Sequence, residues 1–206
     1  MSITAIVGAK IFDGETTLSA DTVVIDDGVI TAIGTDVPAG ATIVDGTGAT
    51  LLPGLIDAHV HTNRDALALA LRFGVTTELE MQGTHTGSRR AAIAEDDSVA
   101  DVRSAGFGLT PPGGHPSELF PADFHPGPPP GAAPTGPRPV KADVSTPAEA
   151  VAVIPQLVAD GSDYIKFMVD DGSVEGHPGL PMLDQETLEA GVAAAHSHGM
   201  LTIAHP

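Results

Sequence analysis

The 206-residue chain carries 27 acidic against 9 basic side chains, and its formal charge of −18 repels phosphate backbones and anionic membrane surfaces. It has no cysteine, which excludes a disulfide framework and leaves nitrogen and oxygen to hold any bound metal. Aromatic residues make up 3% and tryptophan is absent, so the core must be mostly aliphatic.

The N-terminal residues give no basic stretch followed by an apolar one; Lys10 and Asp13 interrupt too early for a signal peptide. No window approaches the ~18 continuous apolar residues of a membrane span. The expectation is a soluble, cytoplasmic protein with no nucleic-acid partner and no membrane association.

Residues 3–52 read as short strands joined by Gly/Asp turns. Ile3–Val7, Asp21–Ile25, Val29–Ile33 and Thr42–Asp45 are β-rich and apolar, with turn signals at Asp13-Gly14 and Asp26-Asp27-Gly28. This stretch is expected to form a small all-β subdomain, residues 1–52, followed by an α/β domain, residues 53–206. From Pro53 the rhythm becomes strand, helix, strand. A buried strand ends at His59 and His61, and Asp65–Phe73 is a short amphipathic helix. Gly74–Met81 is a second strand. Residues 88–104 carry helical periodicity, and Phe107–Leu109 is a short third strand. Thr146–Asp160 is helical despite Pro155, which should kink or shift it. Tyr164–Val169 is a fourth strand, Asp184–His198 a helix closed by Gly199, and Leu201–His205 a fifth strand. Strands separated by helices imply a parallel sheet with right-handed crossovers, whose sites lie at the carboxyl ends of the strands.

Residues 110–142 hold eleven of the 18 prolines. A segment this long and irregular after a strand end is expected to be a lid over the site.

The chemistry concentrates at strand ends. Positions i and i+2 of a strand share a face, with Cβ atoms roughly 6–7 Å apart, so His59 and His61 can converge on one metal ion. Lys166 is one of only three lysines and lies inside an apolar strand. Burial favours its neutral amine, which can add CO2 to give a carbamate able to bridge two cations. The alternative is an edge-strand lysine whose ammonium reaches water. His205 ends a further β-like run. His115 and His85 follow strands and could reach substrate, or be loop residues. Asp170 and Asp171 follow Lys166 closely and could line the mouth of the site or start a turn. His196 and His198 close a helix and are given a structural role.

These residues carry a resemblance to the amidohydrolase superfamily of (β/α)8-barrel metal hydrolases. PGLIDAHVHT (53–62) resembles its first-strand signature and GVTT (74–77) its second strand. LTPPGGH (109–115) is similar to the third-strand segment of the imidazolonepropionase- and prolidase-like branch. YIKFM (164–168) resembles the strand with the metal-bridging carbamylated lysine, and LTIAH (201–205) the fifth-strand histidine. The β-rich leader resembles the small sandwich that flanks the barrel. Glu78 and Glu80 in Thr77-Glu78-Leu79-Glu80 depart from the more apolar second strand of the family.

The resemblance implies a TIM-type barrel of which five strands are present, so that the barrel is incomplete, preceded by a small β-sandwich. It implies that His59 and His61 bind a buried metal, that Lys166 as its carbamate bridges two metals, and that His205 binds the more exposed one. His115 and His85 are the candidate substrate contacts. The family's further histidine, and the aspartate that acts as general base, are expected beyond Pro206. The implied activity is hydrolysis of a C–N bond in a small amide, cyclic amide or dipeptide-like substrate. Two zinc ions are the expected cofactor, with manganese or iron tolerated, and a homo-oligomer is expected for the full-length form. Alone, the 206-residue chain is expected to be marginally stable and inactive. Two rivals stay open: a catalytically inactive scaffold relative, and a mononuclear deaminase of the same superfamily that has no need of the carbamate.

Overall fold

The computed structural model describes residues 3–119 and 140–206, and the chain divides into two compact units, Met1–Gly54 and Leu55–Pro206. The expected lid at 110–142 therefore lies largely outside the described residues.

In the first unit, β1 (Ile3–Val7), β3 (Thr22–Asp26), β4 (Val29–Gly34) and β5 (Thr42–Asp45) form one sheet in the order β4-β3-β1-β5. β2 (Lys10–Ile11) and β6 (Thr50–Leu51) form a parallel pair. Asp27 and Gly28 both take positive φ, 51° and 79°, the conformation that closes a tight two-residue hairpin between β3 and β4. The central strands bury Ala5, Val23 and Val24, while Val29, Ile30 and Ile43 on the outer strands are exposed.

The second unit alternates strand and helix: β7 (Leu55–Val60), α1 (Arg64–Arg72), β8 (Val75–Glu80), α2 (Gly87–Ala94), β9 (Asp101–Ser104), α3 (Pro147–Asp160), β10 (Ile165–Met168), α4 (Gln185–Ser197) and β11 (Thr202–His205). β7, β8 and β9 form one parallel sheet and β10 and β11 a second. The fold of this unit is α/β, as its alternating pattern requires.

Local chemistry fixes the helices. The Asn63 side chain accepts from the backbone N–H groups of Asp65 and Ala66, capping α1. Thr146 caps α3, Pro147 occupies its first turn and Gly161 ends it with φ 90°. The helix runs through Pro155. The main core lies between α3, α4 and β10, where Leu109, Ile154, Leu157, Ile165 and Phe167 are almost fully buried. Each such side chain contributes roughly 1.5–3 kcal/mol. A Cβ at Gly191 would come within 2.7 Å of the Phe167 ring, so glycine is what lets α4 lie this close to the strand.

Three sequence expectations need correction. The third strand is Asp101–Ser104, which pairs with Glu78 and its neighbours in β8; helix α2 ends at Ala94. Leu109, expected to end that strand, makes only an isolated bridge to Phe167. The strand before the two histidines is not buried: β7 has one strand neighbour among the described residues, and Leu55 and Ile56 are 55% and 64% exposed.

Candidate metal centre

β7 delivers His59 from its last turn and His61 just beyond it. Their ring centroids are 5.8 Å apart with planes at 75°. The Nδ1 of His61 lies 3.0 Å from the carbonyl oxygen of Gln82. A carbonyl can only accept, so this contact places the proton on Nδ1 and leaves the lone pair on Nε2. The side chain of Gln82 accepts a 2.7 Å hydrogen bond from the backbone N–H of Gly108. Gly108 in turn lies against Lys166: a Cβ there would be 3.0 Å from the Lys166 Cγ. One residue after β8 thus links the first-strand histidines to the lysine of β10.

Lys166 is 2% exposed, and burial pushes its pKa below the ordinary lysine range. In the β10–β11 register Met168 faces His205 and Lys166 faces Ile203, two positions earlier. Burial lowers the pKa of His59 and of His205, and the charge of Lys166 lowers both further, so the three groups share one electrostatic neighbourhood. A lowered histidine pKa means a neutral imidazole near pH 7, the form that binds a metal.

His115 stacks on His205 with centroids 4.5 Å apart and planes at 18°. Its Nδ1 lies 2.5 Å from a carboxylate oxygen of Glu118. Asp170 and Asp171 have separate roles. Asp171 accepts from the backbone N–H of Ser173 in an exposed turn. Asp170 is 6% exposed, and its Oδ2 lies 3.8 Å from the His205 Nε2 without a hydrogen-bond partner.

His59, His61, Lys166, His205 and His115 are thus brought to one region, and His85 is not. The carboxylate of Glu80 accepts from the His85 backbone N–H at 3.1 Å and contacts its Nδ1 at 2.7 Å. Ser104 donates to the same carboxylate at 2.6 Å. This network gives Glu80 the physical account that its sequence position lacked. A Cβ at Gly83 would lie 2.0 Å from a Glu80 oxygen, so the glycine makes the space the carboxylate occupies. His196 sits at the end of α4, 3.3 Å from the Thr202 hydroxyl. Gln82 and Glu118 were missed by sequence reasoning. Glu118, three residues after His115 in a 3₁₀ turn, had a readable spacing; Gln82 acts through its backbone carbonyl and had none.

The donor types fit a divalent cation: imidazole nitrogens lie near a buried Asp170 oxygen that has no hydrogen-bond partner. No helix among the described residues is long and apolar enough to cross a membrane.

No protein-family model matches the chain. The chain is 37% identical over 111 residues to an enamidase of Eubacterium barkeri, covering 43% of this chain and 29% of that protein. It is 34% identical over 102 residues to an allantoinase of Solibacter usitatus, covering 50% and 20%. Among solved structures, a Xaa-Pro dipeptidase with methionine bound in its active site matches 99% of this chain and 56% of its own, with a TM-score of 0.71 and 26% identity. An amidohydrolase at 21% identity matches the same shares with a TM-score of 0.76, which shows likeness of fold. The chain spans little more than half the length of these structures and less than a third of the two curated relatives. The curated relatives and the Xaa-Pro dipeptidase neighbour fit the amidohydrolase superfamily, and the chain spans part of their length.

Proposed function

We propose that this chain carries part of the active site of a metal-dependent hydrolase that cleaves a C–N bond in a small amide, cyclic amide or dipeptide-like substrate. In this reading β7 to β11 are the first five strands of a (β/α)8 barrel, and Met1–Gly54 is part of a flanking β-sandwich. His59 and His61 would hold one cation and His205 a second, with Lys166 as the group that would bridge them. Zinc is the first choice for such donors, with manganese or iron tolerated. When bound, the pair would lower the pKa of a water molecule and polarise the scissile carbonyl.

The chain's own residues do the rest. The Gln82 carbonyl fixes the tautomer of His61 and aims its Nε2. Burial favours the neutral form of the Lys166 amine, which could add CO2 by forming a C–N bond and losing one proton; the carbamate would offer two oxygen donors to bound cations. No residue of this chain is assigned as general base. A cytoplasmic location and a homo-oligomeric state belong to the same proposal.

The observation that carries this reading is the burial of Lys166 inside β10, on the strand paired with the one that ends in His205. The enamidase and allantoinase relatives and the Xaa-Pro dipeptidase neighbour support a substrate with a C–N bond. Metal analysis tests it. The wild-type chain should bind two zinc equivalents only in bicarbonate-containing buffer, and Lys166→Ala and His59→Ala proteins should each bind fewer. Equal uptake by Lys166→Ala and wild type would refute the bridging role.

A further inference from the structure

His115, Asp170 and His205 present one donor atom each within 4.8 Å of one another. We propose that these three residues surround one cation with two nitrogens and one oxygen, so that His115 and Asp170 are metal ligands beside His205. The proposal rests on the reading above only for the part of His205.

Four observations carry it. First, the separation of the Asp170 Oδ2 from the His205 Nε2 is 3.8 Å, too long for a hydrogen bond. Two donors bound at ~2.1 Å to one ion lie roughly 3–4 Å apart, so the gap suits a cation between them. Second, that Asp170 oxygen is buried without a hydrogen-bond partner, while the residue is 6% exposed. A buried, unpaired carboxylate oxygen is costly unless something positive meets it. Third, His115 is 5% exposed and its Nδ1 is occupied by Glu118 at 2.5 Å. A carboxylate on one ring nitrogen is the usual way a protein orients a metal-binding histidine and raises the basicity of the other nitrogen. Fourth, the His115 ring stacks on that of His205, so the two imidazoles lie side by side.

The donor chemistry selects the ion. Two imidazoles and one carboxylate suit zinc, cobalt, manganese or iron, whereas calcium and magnesium demand mostly oxygen. Asp170 supplies the negative charge, and the residue before it, Val169, donates its backbone N–H to the His205 carbonyl at 2.9 Å. His115 thereby takes a ligand's part in place of the substrate contact expected from sequence.

The test uses cobalt(II) titrated into the metal-free chain, read by its visible absorption. The variants are Asp170→Asn, His115→Asn, Asp170→Cys and Lys166→Met, each checked for fold by circular dichroism. Asp170→Asn and His115→Asn should each weaken one class of cobalt site by at least about tenfold and change its spectrum. Asp170→Cys should introduce a thiolate-to-cobalt charge-transfer band in the near ultraviolet, which a merely structural aspartate could not produce. Unchanged affinity and spectrum in the first two variants, with no new band in the third, overturn the proposal. If Lys166→Met loses a cation while the Asp170 and His115 variants keep theirs, this site fails and the two-cation reading survives. If the Asp170 and His115 variants lose a cation and Lys166→Met does not, this site stands and the bridging reading fails. A wild-type chain that takes up no cobalt overturns both.

Discussion

The His61 ring is held by Gln82 through a backbone carbonyl, at 3.0 Å from Nδ1, while the Gln82 side chain reaches Gly108. Gln82→Ala keeps the first contact and removes the second, loosening the segment against Lys166. The expected result is a roughly tenfold loss of zinc affinity with little change in melting temperature, since outer contacts of metal ligands typically carry 10–100-fold in affinity. Zinc titration against a chromogenic chelator measures it. Unaltered affinity would remove Gln82 from the site.

Burial of Lys166 penalises its charged form. Its folded-state pKa is depressed, so between that value and the ordinary lysine value the unfolded chain binds the extra proton. Stability therefore rises with pH through that window and declines as pH falls towards the folded-state value. Lys166→Met removes the titrating group and should flatten this slope without lowering stability near neutrality, while metal uptake falls. Urea unfolding of the metal-free chain from pH 7 to 10 checks both limbs.

Glu80 behaves in the opposite sense. Burial pushes its pKa up, but hydrogen bonds from His85 and Ser104 outweigh burial and hold the carboxyl below its ordinary value. The stability it contributes is present above the unfolded-state pKa and is lost as pH falls through the folded one. Ser104→Ala should cost about 1–3 kcal/mol at pH 7, and less at a pH where Glu80 is protonated. Gly83→Ala drives a methyl group into the carboxylate and should cost about as much or more. Chemical denaturation at two pH values separates the effects.

Exposed apolar residues on β7 and α1, among them Leu55, Ile56, Leu69 and Phe73, leave an apolar surface beside a strand with one open side among the described residues. Such edges recruit other chains. The 206-residue chain should self-associate at micromolar concentration, and Ile56→Lys with Phe73→Glu should shift it towards the monomer. Light scattering coupled to size exclusion gives the answer; a monodisperse wild-type monomer would contradict it.

Much of this was legible in the sequence because it is local. The alternation of His59 and His61, the isolated Lys166 in an apolar run and the helix closed by Gly199 all depend on neighbours within a few positions. The third strand was misplaced because Asp101–Ser104 is four residues long and continues the apparent periodicity of α2; only its ladder with β8 distinguishes it. The partners of Glu80 are 5 and 24 residues away, and those of Gln82 are 21 and 26 away, so neither network has a sequence signature. The burial of Asp170 against His205, and the exposure of β7, follow from which strands lie alongside, and residue spacing does not encode that.

Tyr164 closes the second unit in a way that bears on everything above. Its hydroxyl lies 2.8 Å from the Glu80 carbonyl and 3.0 Å from that of Arg103, so a residue just ahead of β10 is pinned to the ends of β8 and β9. Among the described residues, no continuous ladder joins the sheet that carries the paired histidines to the sheet that carries the lysine. The phenol, together with the short stitch at Leu109, spans that seam and sets the distance across which donors from the two sheets must cooperate. Tyr164→Phe would leave the seam free to breathe, and the donor side chains of the two sheets would drift apart before the chain lost its fold.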